Sequence, residues 1–113
     1  MQIVRPEKQI GLLTNGTHGD RVILMSEFDW SDEKNEMLER TRQVCFEDVV
    51  VCIQNGDVLD VIRHPNRERY PNQNMIVLNV GGYVWLIPYV KAKGVRFLKT
   101  IIPSRKATRE YLA

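Results

Sequence analysis

Apolar residues recur at helical spacing in the middle of the chain. Those at i, i+3, i+4 and i+7 are Phe46, Val49, Val50 and Ile53. A helix that begins near Phe46 would place them on one buried stripe, and Asn55-Gly56 would end it. The β-branched run at residues 49–51 would by itself allow a strand, but the periodicity and the preceding acidic pair favour a helix.

A polar segment before this stripe has the signals of another helix. Ser31 is a suitable N-cap, because its side-chain oxygen can accept a hydrogen bond from a backbone N–H of the first turn. Asp32 and Glu33 follow it, where negative charge favours the helix dipole. We expect a helix of about ten residues here, with Met37 and Leu38 as its main apolar contacts.

After Gly56 the hydrophobic period changes to that of strands. We expect four strands, at residues 58–62, 75–80, 83–90 and 95–102. Gly81-Gly82 would form a two-residue turn between the second and third, and residues 91–94 a four-residue turn between the third and fourth. Pro88 has no N–H to donate, so its strand has to bulge there or lie at a sheet edge.

The end of the chain predicts one more helix and completes the expected fold. Pro103 ends the last strand, and Ser104 can cap a short helix that extends through Tyr111. The order is two N-terminal helices, a four-stranded and mainly antiparallel sheet, and a short C-terminal helix, with room for a short strand before the first helix. We therefore expect an α+β fold with the helices packed on one face of the sheet.

Residues 1–24 differ from the rest in composition. Asn15-Gly16 and His18-Gly19-Asp20 are typical of turns and loops. We interpret residues 1–24 as an N-terminal extension and residues 25–113 as the folding unit. Alternatively, residues 21–25 form a first strand that continues into Phe28 and Trp30.

Length and composition suit one small globular domain, since 113 residues with 43% hydrophobic content allow a single modest core. The chain lacks the run of about 20 apolar residues that spans a bilayer, and it lacks a secretory leader pattern. Cys45 and Cys52 would lie about 10 Å apart along a helix, too far for a disulfide, and no metal-ligand spacing connects them to a histidine. We expect a soluble, cytoplasmic protein without a metal or cofactor, in which both cysteines are buried or half-buried.

Charge divides the chain into an acidic and a basic part. Residues 1–60 carry six basic and twelve acidic side chains, whereas residues 61–113 carry ten and two, so the parts sum to −6 and +8. The basic residues of the second part are Arg63, Arg67, Arg69, Lys91, Lys93, Arg96, Lys99, Arg105, Lys106 and Arg109. Such a field favours phosphate contacts through counterion release, with a plain solvated face as the alternative.

One predicted loop combines cations with groups that can transfer protons. It contains His64, Arg67, Arg69 and Tyr70. Metal-free RNA cleavage needs a base for the 2′-hydroxyl, cations for the phosphorane and an acid for the leaving 5′-oxygen, and His64 or Tyr70 would handle the protons. A histidine that only caps a turn before Pro65 is the alternative.

Further cations lie on the last strand. Arg96 alternates in phase with Leu98, whereas Lys99 shares the face of Phe97 and Ile101. Each face of the strand therefore carries one cation beside apolar residues.

The C-terminal helix would carry Arg105 and Arg109 on one face at i, i+4, with Lys106 beside them. A sheet, a basic loop and this helix could together cradle a phosphodiester. Tyr83 and Trp85 could stack on bases or pack within the sheet.

Three segments resemble BrnT-like toxins. They are Phe28-Asp29-Trp30 before the first helix, Phe46-Glu47-Asp48-Val49 at the start of the second, and the stretch from Lys99 to Tyr111 with its Arg-Lys-Ala-Thr element. The resemblance implies the RelE-like ribonuclease fold and the toxin role in a type II toxin–antitoxin pair. It also implies metal-independent RNA cleavage, a small DNA-binding antitoxin that closes over the basic face, and operator DNA binding only through that antitoxin.

The resemblance and the charge pattern together assign the candidate site. The candidate catalytic residues are His64, Arg67, Tyr70, Arg96, Lys99 and Arg105. The candidate RNA-binding residues are Arg69, Lys91, Lys93, Lys106 and Arg109. In this hypothesis Arg67 and Arg105 bind phosphate, and Arg96 or Lys99 stabilises the transition state.

Two other functions fit the same residues. The first is a non-catalytic module whose basic face binds nucleic acid or an acidic protein partner. The second is a structural domain that self-associates, for example as a homodimer, through acidic helices and a basic sheet. RNA cleavage separates the toxin from both, and a steep salt dependence of RNA binding separates the module from the structural domain.

Overall fold

The computed structural model describes residues 28–113, which form six strands and three helices. In chain order these are β1 (Phe28–Trp30), α1 (Asp32–Arg42), α2 (Phe46–Gln54), β2 (Val58–Arg63), β3 (Gln73–Val80), β4 (Tyr83–Ala92), β5 (Val95–Leu98), β6 (Ile102–Pro103) and α3 (Arg105–Leu112). The expected α+β class is confirmed. The proposed extension at residues 1–24 and the alternative strand at 21–25 lie outside the described residues. None of the three helices is both long and apolar enough to cross a membrane.

The strands form one mixed sheet in the order β1-β5-β4-β3-β2, and β6 also pairs with β4. β1 runs parallel to β5, whereas the other neighbours are antiparallel. The expectation of four mainly antiparallel strands is therefore wrong in number, because β1 joins the sheet and the last expected strand is divided into β5 and β6. Hairpin signals do not reveal a parallel pair, since its strands are far apart in the chain.

Pro88 lies where the last expected strand is divided. The pairs on either side of it are Tyr89–Leu98 and Leu86–Ile102. Between these pairs β4 has two residues and its partner has three, so the partner bulges and Pro88 occupies a central strand, not an edge. The Lys99 N–H donates to the Pro88 carbonyl at 2.8 Å. The N–H and C=O of a strand residue point to the same edge, so the nitrogen of Pro88 also faces the bulge, where no N–H is needed for a regular ladder.

The extra residue also changes the side to which Ile101 points. Ile101 is fully buried in the core beneath α1 and α2. Lys99 instead lies with its Nζ 5.4 Å from the ring centroid of Phe97. The expected common face of Lys99 and Phe97 is present, but the expectation that Ile101 shares it is wrong.

Two-residue turns close both central hairpins. Gly81 and Gly82 join β3 to β4 with φ angles of 61° and 89°, as predicted. Lys93 and Gly94 join β4 to β5 with φ angles of 55° and 80°. The expected four-residue turn is wrong, because β4 continues to Ala92. Lys93 adopts a left-handed conformation that costs an L-residue about 1 kcal/mol.

The helices cover both faces of the sheet. α1 and α2 pack on one face, over a core that includes Ile76, Leu78 and Ile87. α3 packs on the opposite face, where Ala107 joins Val77 in a second buried cluster. Alternate residues of β3 point to opposite faces, so both of its faces are apolar and both need cover. The expectation that all helices share one face is wrong for this reason.

Side-chain caps begin two of the helices as predicted. Ser31 Oγ accepts a hydrogen bond from the Lys34 N–H at 3.1 Å, and Ser104 Oγ accepts one from the Ala107 N–H at 3.0 Å. Gly56, with a φ of 87°, follows the end of α2. The boundaries of these helices therefore follow from local sequence.

The start of α2 is capped from another helix. Cys45 precedes α2 and makes no side-chain cap. Asn35 of α1 is buried, and its Oδ1 accepts a hydrogen bond from the Phe46 N–H at 2.7 Å while its Nδ2 donates to Glu47 Oε1 at 2.8 Å. One amide thus caps α2 and holds its first turn against α1.

α3 crosses its face of the sheet from β6 to β2. Near its start, Thr108 Oγ1 accepts a hydrogen bond from the Val84 N–H at 2.8 Å. Near its end, the Tyr111 hydroxyl donates to Asp60 Oδ2 at 2.8 Å, which raises the pKa of Tyr111. The other oxygen, Asp60 Oδ1, accepts a hydrogen bond from the Val61 N–H at 2.8 Å.

The substitution Asn35→Ala should lower the free energy of unfolding by about 2–3 kcal/mol, because the buried N–H of Phe46 loses its acceptor and Glu47 loses a donor. Urea unfolding followed by circular dichroism measures this loss. Thr41→Ala, at an exposed position of the same helix, is the control and should cost less than about 1 kcal/mol. Equal stability of the two variants would contradict the bridging role of Asn35.

Candidate functional site

The loop between β2 and β3 has a defined shape. At its base the His64 N–H donates to the Gln73 carbonyl at 3.0 Å. Within it the Tyr70 N–H donates to the Asn66 carbonyl at 2.9 Å, and Asn66 Oδ1 accepts a hydrogen bond from the Arg69 N–H at 3.1 Å. The Asn66 side chain closes the turn locally, so the backbone of the loop has a defined conformation.

His64, Tyr70 and Arg69 form a stack on this loop. The rings of His64 and Tyr70 lie with their centroids 4.4 Å apart at an angle of 38°. The guanidinium carbon of Arg69 lies 5.5 Å from the Tyr70 ring centroid, within the range of a cation–π contact. The two candidate proton-transfer groups are therefore adjacent, with a cation beside Tyr70.

A hydrogen bond fixes the tautomer of neutral His64. Its Nδ1 accepts from the Asn66 N–H at 3.1 Å, so the proton of the neutral ring is on Nε2. The turn-capping role considered from the sequence is thus present. In this arrangement Nε2–H can donate a hydrogen bond to a phosphate oxygen. His64 can accept a proton only through the lone pair on Nδ1, which requires that Asn66 release it.

Six cations lie at the end of the sheet that carries this loop. We call this surface the loop end, defined as residues 63–72 and 91–96. Its basic residues are Arg63, Arg67, Arg69, Lys91, Lys93 and Arg96. Lys91 and Arg96 are directly opposite each other on β4 and β5, and Arg96 lies 5.6 Å from the ring centroid of Phe28. The two side chains bring positive charge to one face of the sheet, which favours an anion at this end.

The structure separates the start of α3, with Arg105, from the loop end. α3 follows β6, whose Pro103 pairs with Trp85 opposite Leu78. From Leu78 back to Gln73, at the base of the loop, is about 16 Å along β3. Arg105 at the start of α3 is therefore not brought together with His64.

The basic side chains of α3 are exposed to solvent. Arg105, Lys106 and Arg109 are all exposed on α3, and the i, i+4 spacing puts Arg105 and Arg109 on one outward side. Lys99 lies on the α3 face of the sheet beside Phe97, whose strand partner Val90 pairs with Gln73 at the base of the loop. The candidates on α3 are therefore apart from the loop end, whereas Lys99 is on a strand that reaches it.

Tyr83 and Trp85 also lie away from the loop end. Both follow the Gly81-Gly82 turn at the opposite end of β4, and they contact each other edge-to-face with centroids 6.5 Å apart. Trp85 is partly buried against the core, as the packing alternative considered from the sequence expects, whereas Tyr83 is 37% exposed. Asn66 is the residue that sequence reasoning missed, although its position directly after a proline is a turn signal.

Neither cysteine is suited to nucleophilic chemistry. Burial raises the pKa of the half-buried Cys45 thiol to about 12, and burial also raises the pKa of Cys52. Both thiols are free. In residues 28–113, no three His, Cys, Asp or Glu side chains gather as ligands for one metal ion would.

Comparison of the chain with models of protein families, with curated proteins and with solved structures finds no match.

Native Cys45 should react very slowly with iodoacetamide at pH 8, since a pKa of about 12 leaves only on the order of one thiol in ten thousand ionised. Mass spectrometry of the native protein over time should show Cys52 modified first. In urea both cysteines should react at the rate of a free thiol. Cys45 labelled as fast in the native protein as in urea would contradict the buried assignment.

Proposed function

We propose that this protein is a metal-independent endoribonuclease of the BrnT-like toxin type, and that the loop end is its active surface. The observation that carries the proposal is the contact between His64 and Tyr70 on a loop that also bears Arg67 and Arg69. Adjacent proton-transfer groups beside guanidinium groups are what cleavage of a phosphodiester by its own 2′-hydroxyl requires.

In the proposed reaction the 2′-oxygen attacks phosphorus and the bond to the 5′-oxygen breaks. This leaves a 2′,3′-cyclic phosphate and a 5′-hydroxyl. The substrate displaces the Asn66 N–H, so that Nδ1 of His64 accepts the 2′-proton, and the hydroxyl of Tyr70 protonates the leaving 5′-oxygen. Arg67 and Arg69 neutralise the charge of the phosphorane as it forms. After the 5′-oxygen has left, the proton on His64 returns to Tyr70 through water.

The toxin role brings its partners into the proposal. A cognate antitoxin would neutralise the enzyme in a hetero-oligomer, and operator DNA would be bound only through that antitoxin. The cellular substrate would be RNA, whose cleavage arrests translation and growth. These statements rest on the motif resemblance, and co-expression with a neighbouring gene tests them.

A non-catalytic RNA-binding module is the second candidate. It is favoured by the hydrogen bond at Nδ1 of His64, which occupies the lone pair that a base would need. The six cations of the loop end serve either function, so RNA cleavage is the measurement that separates them.

His64→Ala and Tyr70→Phe should each slow cleavage of a labelled RNA by about 100-fold or more, because each removes one proton-transfer group. The assay uses purified protein with EDTA, and circular dichroism confirms folding. Arg40→Ala, an exposed arginine on α1, is the matched control and should cleave at the wild-type rate. Intact RNA with folded wild-type protein would sink the catalytic proposal and leave the binding module.

Arg69→Ala should weaken RNA binding by about tenfold and reduce the slope of log affinity against log salt by about one, as loss of one phosphate contact does. Arg105→Ala should lower affinity without a loss of kcat, since α3 starts beside a point of the sheet that is about 16 Å along β3 from the base of the loop. Filter binding at several salt concentrations and single-turnover cleavage measure these effects. A kcat loss of 100-fold in Arg105→Ala would instead restore α3 to the active site.

A further inference from the structure

A groove runs between α2 and the β3–β4 hairpin, on the core face of the sheet. Its apolar lining comes from Val51 and Cys52 on α2 and from Val80, Tyr83 and Trp85 on the hairpin. The groove lies beside the Gly81-Gly82 turn, at the opposite end of the sheet from the loop end. We call it the hairpin groove.

Two large apolar side chains are exposed across the hairpin groove. Val51 is 47% exposed on the helix wall and Tyr83 is 37% exposed on the hairpin wall. Single exposed apolar residues are ordinary, but apolar side chains that line both walls of one groove are a feature of binding sites. The rings of Tyr83 and Trp85 meet edge-to-face and form an aromatic surface on the hairpin wall.

The charge of the hairpin groove is negative. Asp48 is the one ionised residue of its lining and is exposed. A second acidic residue is next to this wall, since the Asp57 N–H donates to the carbonyl of Cys52 at 3.0 Å. A polyanion is therefore disfavoured here, whereas a basic ligand with apolar side chains is favoured.

We infer that the hairpin groove binds an amphipathic segment of a partner protein, with apolar side chains seated between Val51 and Trp85 and a lysine or arginine paired with Asp48. This inference rests on the lining and charge of the groove alone and not on RNA cleavage. A partner bound there leaves the loop end uncovered, because the two surfaces are at opposite ends of β4. Binding at the hairpin groove and RNA binding are thus compatible.

The test uses the full chain and a synthetic helical peptide of about 14 residues, with leucines at i, i+4 and i+7 and lysines beside them. A matched peptide carries glutamate in place of each lysine. The fluorescence of Trp85 reports binding, since Trp30, the only other tryptophan of the chain, is 1% exposed. The lysine peptide should bind at least about tenfold more tightly than the glutamate peptide.

Charge reversal at the groove provides the matched variant. Asp48→Lys, at an exposed position, should reverse the preference so that the glutamate peptide binds more tightly. Val51→Asn should weaken both peptides, because it removes an apolar contact without adding a charge, and neither variant should change RNA affinity. Equal affinity for both peptides, or an unchanged preference in Asp48→Lys, would overturn the inference. It would also be overturned if wild type sedimented as a dimer that Val51→Asn dissociates, because a second copy would then be the occupant.

Discussion

Pro88 imposes the constraint on which the arrangement of this domain depends. A proline in a central strand withholds one N–H from its neighbour, and here the neighbour responds with one extra residue between Leu98 and Ile102. That residue lets Ile101 enter the core while Lys99 stays on the opposite face. β6 then pairs with the other half of β4, and the chain leaves it to cover the second face with α3.

The result is a sheet whose two ends differ in chemistry. One end gathers six cations around a stacked histidine and tyrosine. The other end has an apolar groove with a carboxylate on its lining. The cations of the first end come from the basic part of the sequence, and the carboxylate of the second comes from the acidic part. The Asn35 amide joins α1 to the first turn of α2, so the two helices pack on the sheet as one layer.

Local signals in the sequence were sufficient for much of the fold. Ser31 and Ser104 cap helices through bonds to residues three positions away, and Gly81-Gly82 specifies its own turn, so each feature could be predicted from neighbours. The parallel pairing of β1 and the bulge opposite Pro88 depend on residues distant in sequence, which no periodicity encodes. The capping role of Asn35 could not be predicted, because Asn35 is one polar residue among many in α1 and its partners are on α2. The separation of α3 from the loop end could not be predicted for the same reason, because the position of α3 depends on how β6 pairs with β4.

Asp60 lies on β2, the strand at one edge of the sheet. In the described part of the chain β2 pairs only with β3, so its outer side is an open sheet edge. The carboxylate of Asp60 occupies the N–H of Val61 and is itself held by Tyr111. An incoming strand would meet a donor already in use and a negative charge that it would have to desolvate. Through Tyr111 the last helix would therefore disfavour strand addition at an edge where Leu59 and Val61 are exposed.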